Sequence, residues 1–236
     1  MRRRLVLLAS IFSLAAGLLF MRPEPRYAAL STLFIIALAL PSLFALLRWL
    51  GPARGAAAAV VLGALSLAVE ALAVLTGIPY GAFSYSPALG LSLFDLVPWT
   101  VAFAYLPILL GAVTLASRVG SFPARVAATG GLVVLADLAI DPGAVHAGFW
   151  AWSGGGPYYG VPPVNFAGWA ITGMLYGAIF FLLVGGEKVP PGVASSLMLI
   201  IALWSGYNLG NGLLLPGAIG LLFLAGIVAA DHGDGR

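Results

Sequence analysis

Long apolar runs alternate with short connectors rich in Gly, Pro or charge along the whole chain. Eight runs can be delimited, at 5–20, 27–47, 56–76, 98–117, 124–140, 164–184, 192–208 and 212–230. A run of about twenty apolar residues is long enough for an α-helix to cross roughly 30 Å of hydrocarbon. The pattern therefore predicts an all-α, polytopic membrane helix bundle of about eight transmembrane helices.

The composition agrees with a membrane protein, since 61% of the 236 residues are hydrophobic and only 8% are charged. The connectors are too short for a soluble domain, so we expect one integral membrane domain over 1–236 with a short polar tail at 231–236. Arg2, Arg3 and Arg4 before an apolar run are typical of a signal peptide, but the following residues offer no small-residue cleavage site. The first run is therefore expected to be a retained helix.

The basic residues predict the orientation, because cytoplasmic loops carry an excess of Lys and Arg. With a cytoplasmic N-terminus, most of the 11 basic residues fall on the cytoplasmic side and only Arg22 and Arg26 on the other. We thus expect a multi-pass cell-membrane protein with both termini in the cytoplasm. Basic residues interleaved with aromatic ones are absent from the sequence, so nucleic acid is not expected as a partner.

Four of the eight acidic residues lie inside or at the lip of apolar runs: Glu70, Asp95, Asp137 and Asp141. A charged residue at the bilayer centre costs about 2.5–3.5 kcal/mol on insertion scales, so it usually faces the bundle interior or a wet cavity. The predicted topology puts the long connectors 77–97 and 141–163 on the extracytoplasmic side, together with the turn at 208–212. The acids therefore predict a polar chamber in the outer half of the bundle.

The two long connectors resemble each other. Each follows a helix with a buried acid, passes a proline and carries two aromatic residues at a spacing of two, Phe83 with Tyr85 and Trp150 with Trp152. This similarity indicates a parallel internal repeat that would place the two acid-bearing helices on opposite walls of one site, although a chance likeness remains the alternative.

Missing residue types narrow the chemistry. The sequence has no cysteine, which excludes thiolate nucleophiles and iron–sulfur ligation. Of its two histidines, His146 alone lies near the acids, too few for a histidine-rich di-iron site. Lys188, the single lysine, falls in a cytoplasmic connector, which excludes a retinal Schiff base inside the bundle. Carboxylate chemistry without a metal or cofactor is expected.

Three segments carry polar and aromatic residues at fixed spacing: TGIPYGAFSYSPALG (76–90), DLAIDPGAVHAGFWAW (137–152) and YYGVPPVNFAGW (158–169). Together with Glu70, this pattern resembles the carotenoid hydratase family, bisanhydrobacterioruberin hydratase and related hydratases of acyclic carotenoid end groups. The resemblance implies a membrane hydro-lyase that adds water across the terminal C=C of a long acyclic carotenoid, leaving a tertiary alcohol. Its partners would be that carotenoid, water, the lipid bilayer and other carotenoid biosynthetic enzymes.

Hydration of such an alkene needs a proton donor, a stabilised tertiary cation and a positioned water. Paired buried acids divide into donor and acceptor, and we expect Asp137 as donor with Glu70 as its partner and Asp95 as a further candidate. Asp141, His146 and Asn165 are candidates to orient the water. Aromatic faces stabilise a cation. The predicted substrate-binding residues are Tyr80, Phe83, Tyr85, Trp99, Trp150, Trp152, Tyr158, Asn165, Trp169 and Asn208.

Other interpretations remain open at this stage. A buried acid can simply bridge two helices, and Trp and Tyr are common anchors at membrane interfaces. Asp95 is placed to cap the helix that begins near Pro98, and Asn208 to satisfy backbone at a helix break. A carotenoid end-group cyclase, a binding subunit of a biosynthetic complex and a proton-coupled transporter are the alternative functions.

Overall fold

The computed structural model describes residues 2–19 and 24–233, so the connector at 20–23 and the last residues of the predicted tail, 234–236, lie outside it. Its elements confirm the all-α prediction. The helices within these residues are α1 (Arg2–Leu19), α2 (Ala28–Leu50), α3 (Pro52–Thr76), α4 (Val101–Ala116), α5 (Phe122–Ala147), α6 (Pro163–Leu183), α7 (Ser195–Gly210) and α8 (Leu214–Gly233).

Five helical segments among the described residues are long and apolar enough to cross a membrane: Pro25–Leu50, Pro52–Thr76, Phe122–Ala147, Pro163–Leu183 and Pro191–Gly210. Three shorter apolar helices accompany them, at Val6–Gly17, Val101–Ala116 and Leu214–Ala230. Apolar side chains are also exposed outside the cavity lining, with Leu33 65% and Leu75 66% exposed. Such an outward apolar surface suits lipid, and the chain is a membrane-embedded protein.

Glycine and proline set the helix boundaries. Pro52 and Pro163 stand in the first turns of α3 and α6, where the missing N–H costs no helical hydrogen bond. Gly77 ends α3 with φ 76°, and its N–H donates to the carbonyl oxygen of Ala73 at 2.8 Å. The left-handed conformation favours glycine at this position. The chain therefore leaves α3 sharply, about two helical turns beyond Glu70.

Helix α7 lies at the centre of the bundle and packs against α1, α2, α4, α5 and α8. Its contact with α1 is close because two glycines face backbone across the interface. A Cβ on Gly17 would meet backbone of Leu203 and Tyr207, and one on Gly206 would meet backbone of Leu14. Small residues at such crossings let membrane helices approach without side chains between them.

The two long connectors form small antiparallel sheets. β1 (Phe83–Tyr85) pairs with β4 (Trp150–Trp152), and β2 (Ser92–Leu93) pairs with β3 (Val97–Pro98). In the first sheet Phe83 lies opposite Trp152, and Tyr85 lies opposite Trp150. The two aromatic pairs predicted from the sequence therefore lie opposite each other on neighbouring strands. A two-fold axis between the connectors would give this antiparallel pairing, and the internal repeat stays a prediction.

The predicted end of the fifth span at 140 was wrong, because α5 continues through Pro142 to Ala147. Proline has no N–H for the carbonyl oxygen of Leu138, one turn earlier in the helix. The hydroxyl of Tyr158 donates to that oxygen instead, at 2.9 Å. This substitute donor lets the helix pass the proline, so Asp141 and His146 are helical residues and not part of a loop.

Candidate active site

A cavity of about 800 Å³ lies beneath the β1–β4 sheet, bounded mainly by residues of α2 to α7. Its volume is in the range of small-molecule sites, roughly 300–1,000 Å³. Its walls are predominantly apolar and aromatic. The polar side chains at the wall include Glu70, Asp141, Asn165 and Thr100. An apolar cavity with a few convergent acids inside a membrane protein is a candidate active site.

Two aspartates stand on one face of α5. Asp137 and Asp141 occupy positions i and i+4, which lie one above the other on a helix, and they are 0% and 2% exposed. The side-chain nitrogen of Asn165, near the start of α6, donates to Oδ2 of Asp137 at 2.8 Å and to Oδ2 of Asp141 at 2.6 Å. The two carboxyl groups are also hydrogen-bond partners of each other. Asp141 lines the cavity, whereas Asp137 lies behind it.

Glu70 faces the same cavity from α3 and is 7% exposed. The hydroxyl of Tyr85 donates to its Oε2 at 2.7 Å. Burial first, and then the nearby Glu70 carboxylate, raise the pKa of Tyr85 well above its ordinary value, so its hydroxyl stays a donor. The acids of α3 and α5 therefore share one cavity, as the sequence indicated for the two acid-bearing helices.

The β1–β4 sheet connects the two acid sites. Tyr85 of β1 donates to Glu70, and Trp150 of β4, directly opposite Tyr85, has its side chain beside Asp141. The rings of Tyr85 and Trp150 meet edge to face with centroids 6.2 Å apart. Directly opposed residues on an antiparallel pair project to the same face. One cross-strand pair thus positions both acids that line the cavity.

Aromatic rings form much of the remaining wall. Phe83 packs on Trp152 with centroids 5.9 Å apart, and Tyr80 packs on Trp169 at 6.2 Å. The indole N–H of Trp152 donates to the carbonyl oxygen of Tyr80 at 2.8 Å, which fixes the connector after α3 against β4. All four rings line the cavity. Their faces can stabilise a positive charge that develops there.

Sequence reasoning missed Tyr105, Thr172 and Tyr176 of α4 and α6, which form a second polar cluster with the predicted Tyr80 of the connector after α3. The Tyr80 hydroxyl donates to Thr172 Oγ1 at 3.1 Å, and Tyr105 packs edge to face on Tyr176 with centroids 5.2 Å apart. Tyr105 lines the cavity beside Trp169. The signal in the sequence was that Tyr105, Thr172 and Tyr176, each with a hydroxyl group, lie in the middle of otherwise apolar runs.

Residues 27–227, most of the chain, match the family model described as carotenoid biosynthesis protein. The chain belongs to this family. Over 194 residues it is 32% identical to bisanhydrobacterioruberin hydratase of Haloarcula japonica, an alignment that covers 77% of this chain and 65% of that protein. The chain thus spans about two thirds of the length of that relative. No solved structure matches it. The resemblance identified from the motifs is confirmed.

The structure does not bring every predicted residue of this family member to the cavity. Asp95 lies on the exposed turn between β2 and β3, where Phe94 and Asp95 have φ of 53° and 58° and the Leu96 N–H donates to Leu93 O at 2.9 Å. Two such residues are typical of a tight hairpin turn, in which Asp is favoured. Asp95 does not cap α4 either, since Thr100 holds the N-cap position.

Four more predicted residues lie away from the cavity wall. His146 is exposed, and its Nδ1 is 2.9 Å from the hydroxyl oxygen of Tyr207. Trp99 packs edge to face on Phe103. The other two make contacts with α5: Tyr158 through the carbonyl of Leu138, and Asn208 through that of Ala139 at 2.7 Å. Within residues 2–19 and 24–233, no group of three or more His, Cys, Asp or Glu could hold a metal ion.

Proposed function

We propose that this protein is a carotenoid hydratase that adds water across the terminal C=C of an acyclic carotenoid end group. The observation that carries the proposal is the pair of acids, Asp141 and Glu70, that face one apolar, aromatic cavity inside a membrane protein of the carotenoid biosynthesis family. The hydratase named among its relatives supports the same reaction class. Addition of H and OH changes no oxidation state overall, so the proposed reaction needs no electron carrier.

We assign the proton donor to Asp141. The sequence-based choice was Asp137, but of the two only Asp141 lies at the cavity wall, within reach of a bound alkene. Asp137 acts through its neighbour: two carboxyl groups that hydrogen-bond to each other hold one proton between them. Asn165 keeps both in place. Transfer of the proton to the less substituted alkene carbon leaves a tertiary cation at the other carbon.

The aromatic wall then stabilises the cation. Trp150, Trp169 and Phe83 line the cavity and offer ring faces. A cation over such a face gains about 0.5–2 kcal/mol, more when water is excluded. Glu70 completes the reaction as the base that accepts a proton from the attacking water. The two acids then hold the same total number of protons as before the reaction.

The substrate is proposed to arrive from the bilayer. Leu30 and Phe34 of α2 line the cavity and are nevertheless 64% and 40% exposed. A wall residue that is open to the surroundings indicates an opening between helices, toward lipid. We further propose that 1–236 form one integral membrane domain with both termini in the cytoplasm and the site in the extracytoplasmic half, as the basic residues indicate.

The test is mass spectrometry of pigments from cells that make an acyclic carotenoid, grown in ¹⁸O-labelled water with and without the protein. One labelled water gained per reacting end group is expected, and ¹⁸O from water distinguishes hydration from oxygenation. Asp141→Asn and Glu70→Gln should give no product, whereas Asp95→Asn, an acid outside the cavity, should match the wild type.

Unchanged pigment with the wild-type protein would refute the hydratase and favour a binding subunit or a transporter. An isomer of equal mass would indicate a cyclase. Wild-type turnover by Asp141→Asn, with the variant present in the membrane in normal amount, would refute the assignment of the donor.

A further inference from the structure

We propose that the reacting water is bound by a hydroxyl cluster on α4 and α6, with Tyr105 as the residue that positions it beside Glu70. The cluster comprises the side chains of Tyr80, Tyr105, Thr172 and Tyr176. This inference rests on the proposed hydration, and it replaces Asp141, His146 and Asn165, the residues that the sequence suggested for the water. Tyr105 would be a specificity-determining residue, since it decides what captures the cation.

The first observation is that two hydroxyls of the cluster are unsatisfied. Tyr105 and Tyr176 are 4% and 1% exposed, and their hydroxyl oxygens make no hydrogen bond with any residue that the structure describes. Buried hydroxyls in native proteins are almost always satisfied, and an ordered water is the usual partner when no protein group is at hand. Thr172 lies beside the Tyr105 hydroxyl but is already engaged, because it accepts from Tyr80 and donates to the carbonyl oxygen of Gly168 at 2.9 Å.

The second observation is the position of the cluster. Tyr80 and Tyr105 both line the cavity that Glu70 and Asp141 face. Glu70 is close enough for its charge to act on the hydroxyls of Tyr80, Tyr105 and Tyr176. The other buried oxygens without a partner among the described residues, the Tyr176 hydroxyl and Oδ1 of Asp137 and of Asn208, belong to side chains that do not line the cavity. The Tyr105 hydroxyl is therefore the one that adjoins the reacting groups.

The chemistry requires acceptors around this water. An attacking water needs a free lone pair directed at the cation, so its two hydrogens must point to other groups. The Tyr105 oxygen can accept one hydrogen, and a Glu70 oxygen can accept the other. As the C–O bond forms, the proton directed at Glu70 passes to that carboxylate, and the neutral tertiary alcohol remains. A cation that water does not capture loses a proton and reverts to an alkene.

Reaction in D₂O separates the two steps. In the wild type, deuterium enters the alcohol at the protonated carbon. In Tyr105→Phe, protonation by Asp141 persists, but the cation returns to alkene, so recovered carotenoid carries deuterium while the hydration rate falls at least tenfold. In Asp141→Asn, both exchange and hydration are lost. Tyr159→Phe, a tyrosine that is 40% exposed and outside the cavity, is the matched control and should behave as the wild type.

Wild-type hydration by Tyr105→Phe would overturn the inference, and so would a parallel loss of exchange and hydration, which would place Tyr105 in the protonation step. If Tyr105→Phe does not accumulate as folded protein, Tyr176→Phe carries the same expectation of exchange without hydration. A wild-type protein that neither hydrates nor exchanges would refute the proposed function itself, a result distinct from either outcome of the variant.

Discussion

Replacing Tyr158 by Phe removes the hydroxyl that donates to the carbonyl oxygen of Leu138, the acceptor left free by Pro142. Leaving a buried acceptor unsatisfied costs about 1–3 kcal/mol. Because Tyr158 is only partly buried, we expect the lower end, about 1 kcal/mol, which lowers the Tm of a protein of this size by about 2–4 °C. The measurement is thermal unfolding in detergent, with Tyr159→Phe as the control.

A second substitution tests the reason for this effect. Pro142→Ala restores a backbone N–H that can donate to the carbonyl of Leu138, so Tyr158→Phe should cost little in that background. The double-mutant cycle should then give a coupling of about 1 kcal/mol. An equal loss of Tm in both backgrounds would refute the idea that the hydroxyl replaces the donor missing from proline. Burial raises the pKa of Tyr158 to about 12, so the cost should stay constant up to about pH 10 and fade above it.

Three further predictions concern the cavity and its surroundings. Tyr85→Phe removes the hydrogen bond to Glu70. Hydrogen bonds to charged groups contribute about 1.5–3 kcal/mol, so the initial hydration rate should fall roughly tenfold or more. An unaltered rate would contradict the role of Tyr85. Gly168→Ala would put a Cβ 2.6 Å from Tyr80 Cδ1 and 2.7 Å from the carbonyl oxygen of Pro79, so Tm and hydration rate should both drop. A wild-type Tm would show that the segment with Pro79 and Tyr80 can move to make room for the added methyl group. Asp95→Gly, at φ 58°, should leave the free energy of unfolding within about 1 kcal/mol of the wild-type value and the hydration rate unchanged, and a lost rate would return Asp95 to the mechanism.

The helices could be predicted because each one is a long apolar run closed by Gly, Pro or charge. The convergence of Glu70 and Asp141 on one cavity also followed from the sequence, since an acid inside an apolar run has few stable surroundings. The passage of α5 through Pro142 could not be predicted. It depends on Tyr158, which follows β4 in the sequence. Only folding of the chain brings its hydroxyl to the carbonyl oxygen of Leu138.

The rotation of each helix about its axis determines which of its side chains reach the cavity. Asp137 and Asp141 are the same residue type, four positions apart in sequence, yet only Asp141 reaches the cavity wall. Tyr105 was not predicted, because a single tyrosine in an apolar run is typical of a residue that only packs in the core. His146 shows the opposite error. An imidazole near buried acids is a natural catalytic candidate, but the side chain of His146 is exposed and contacts Tyr207.

The β1–β4 ladder makes catalytic competence depend on the order in which the chain is assembled. Tyr85 emerges during synthesis after α3, but its partner Trp150 follows only after α4 and α5. A slip of one residue in this register turns each side chain to the opposite face. Glu70 would lose Tyr85 and Asp141 would lose Trp150 in the same event. A mispaired chain would therefore remain inserted in the bilayer but lose the proposed hydratase activity, which ties that activity to correct pairing of the two connectors.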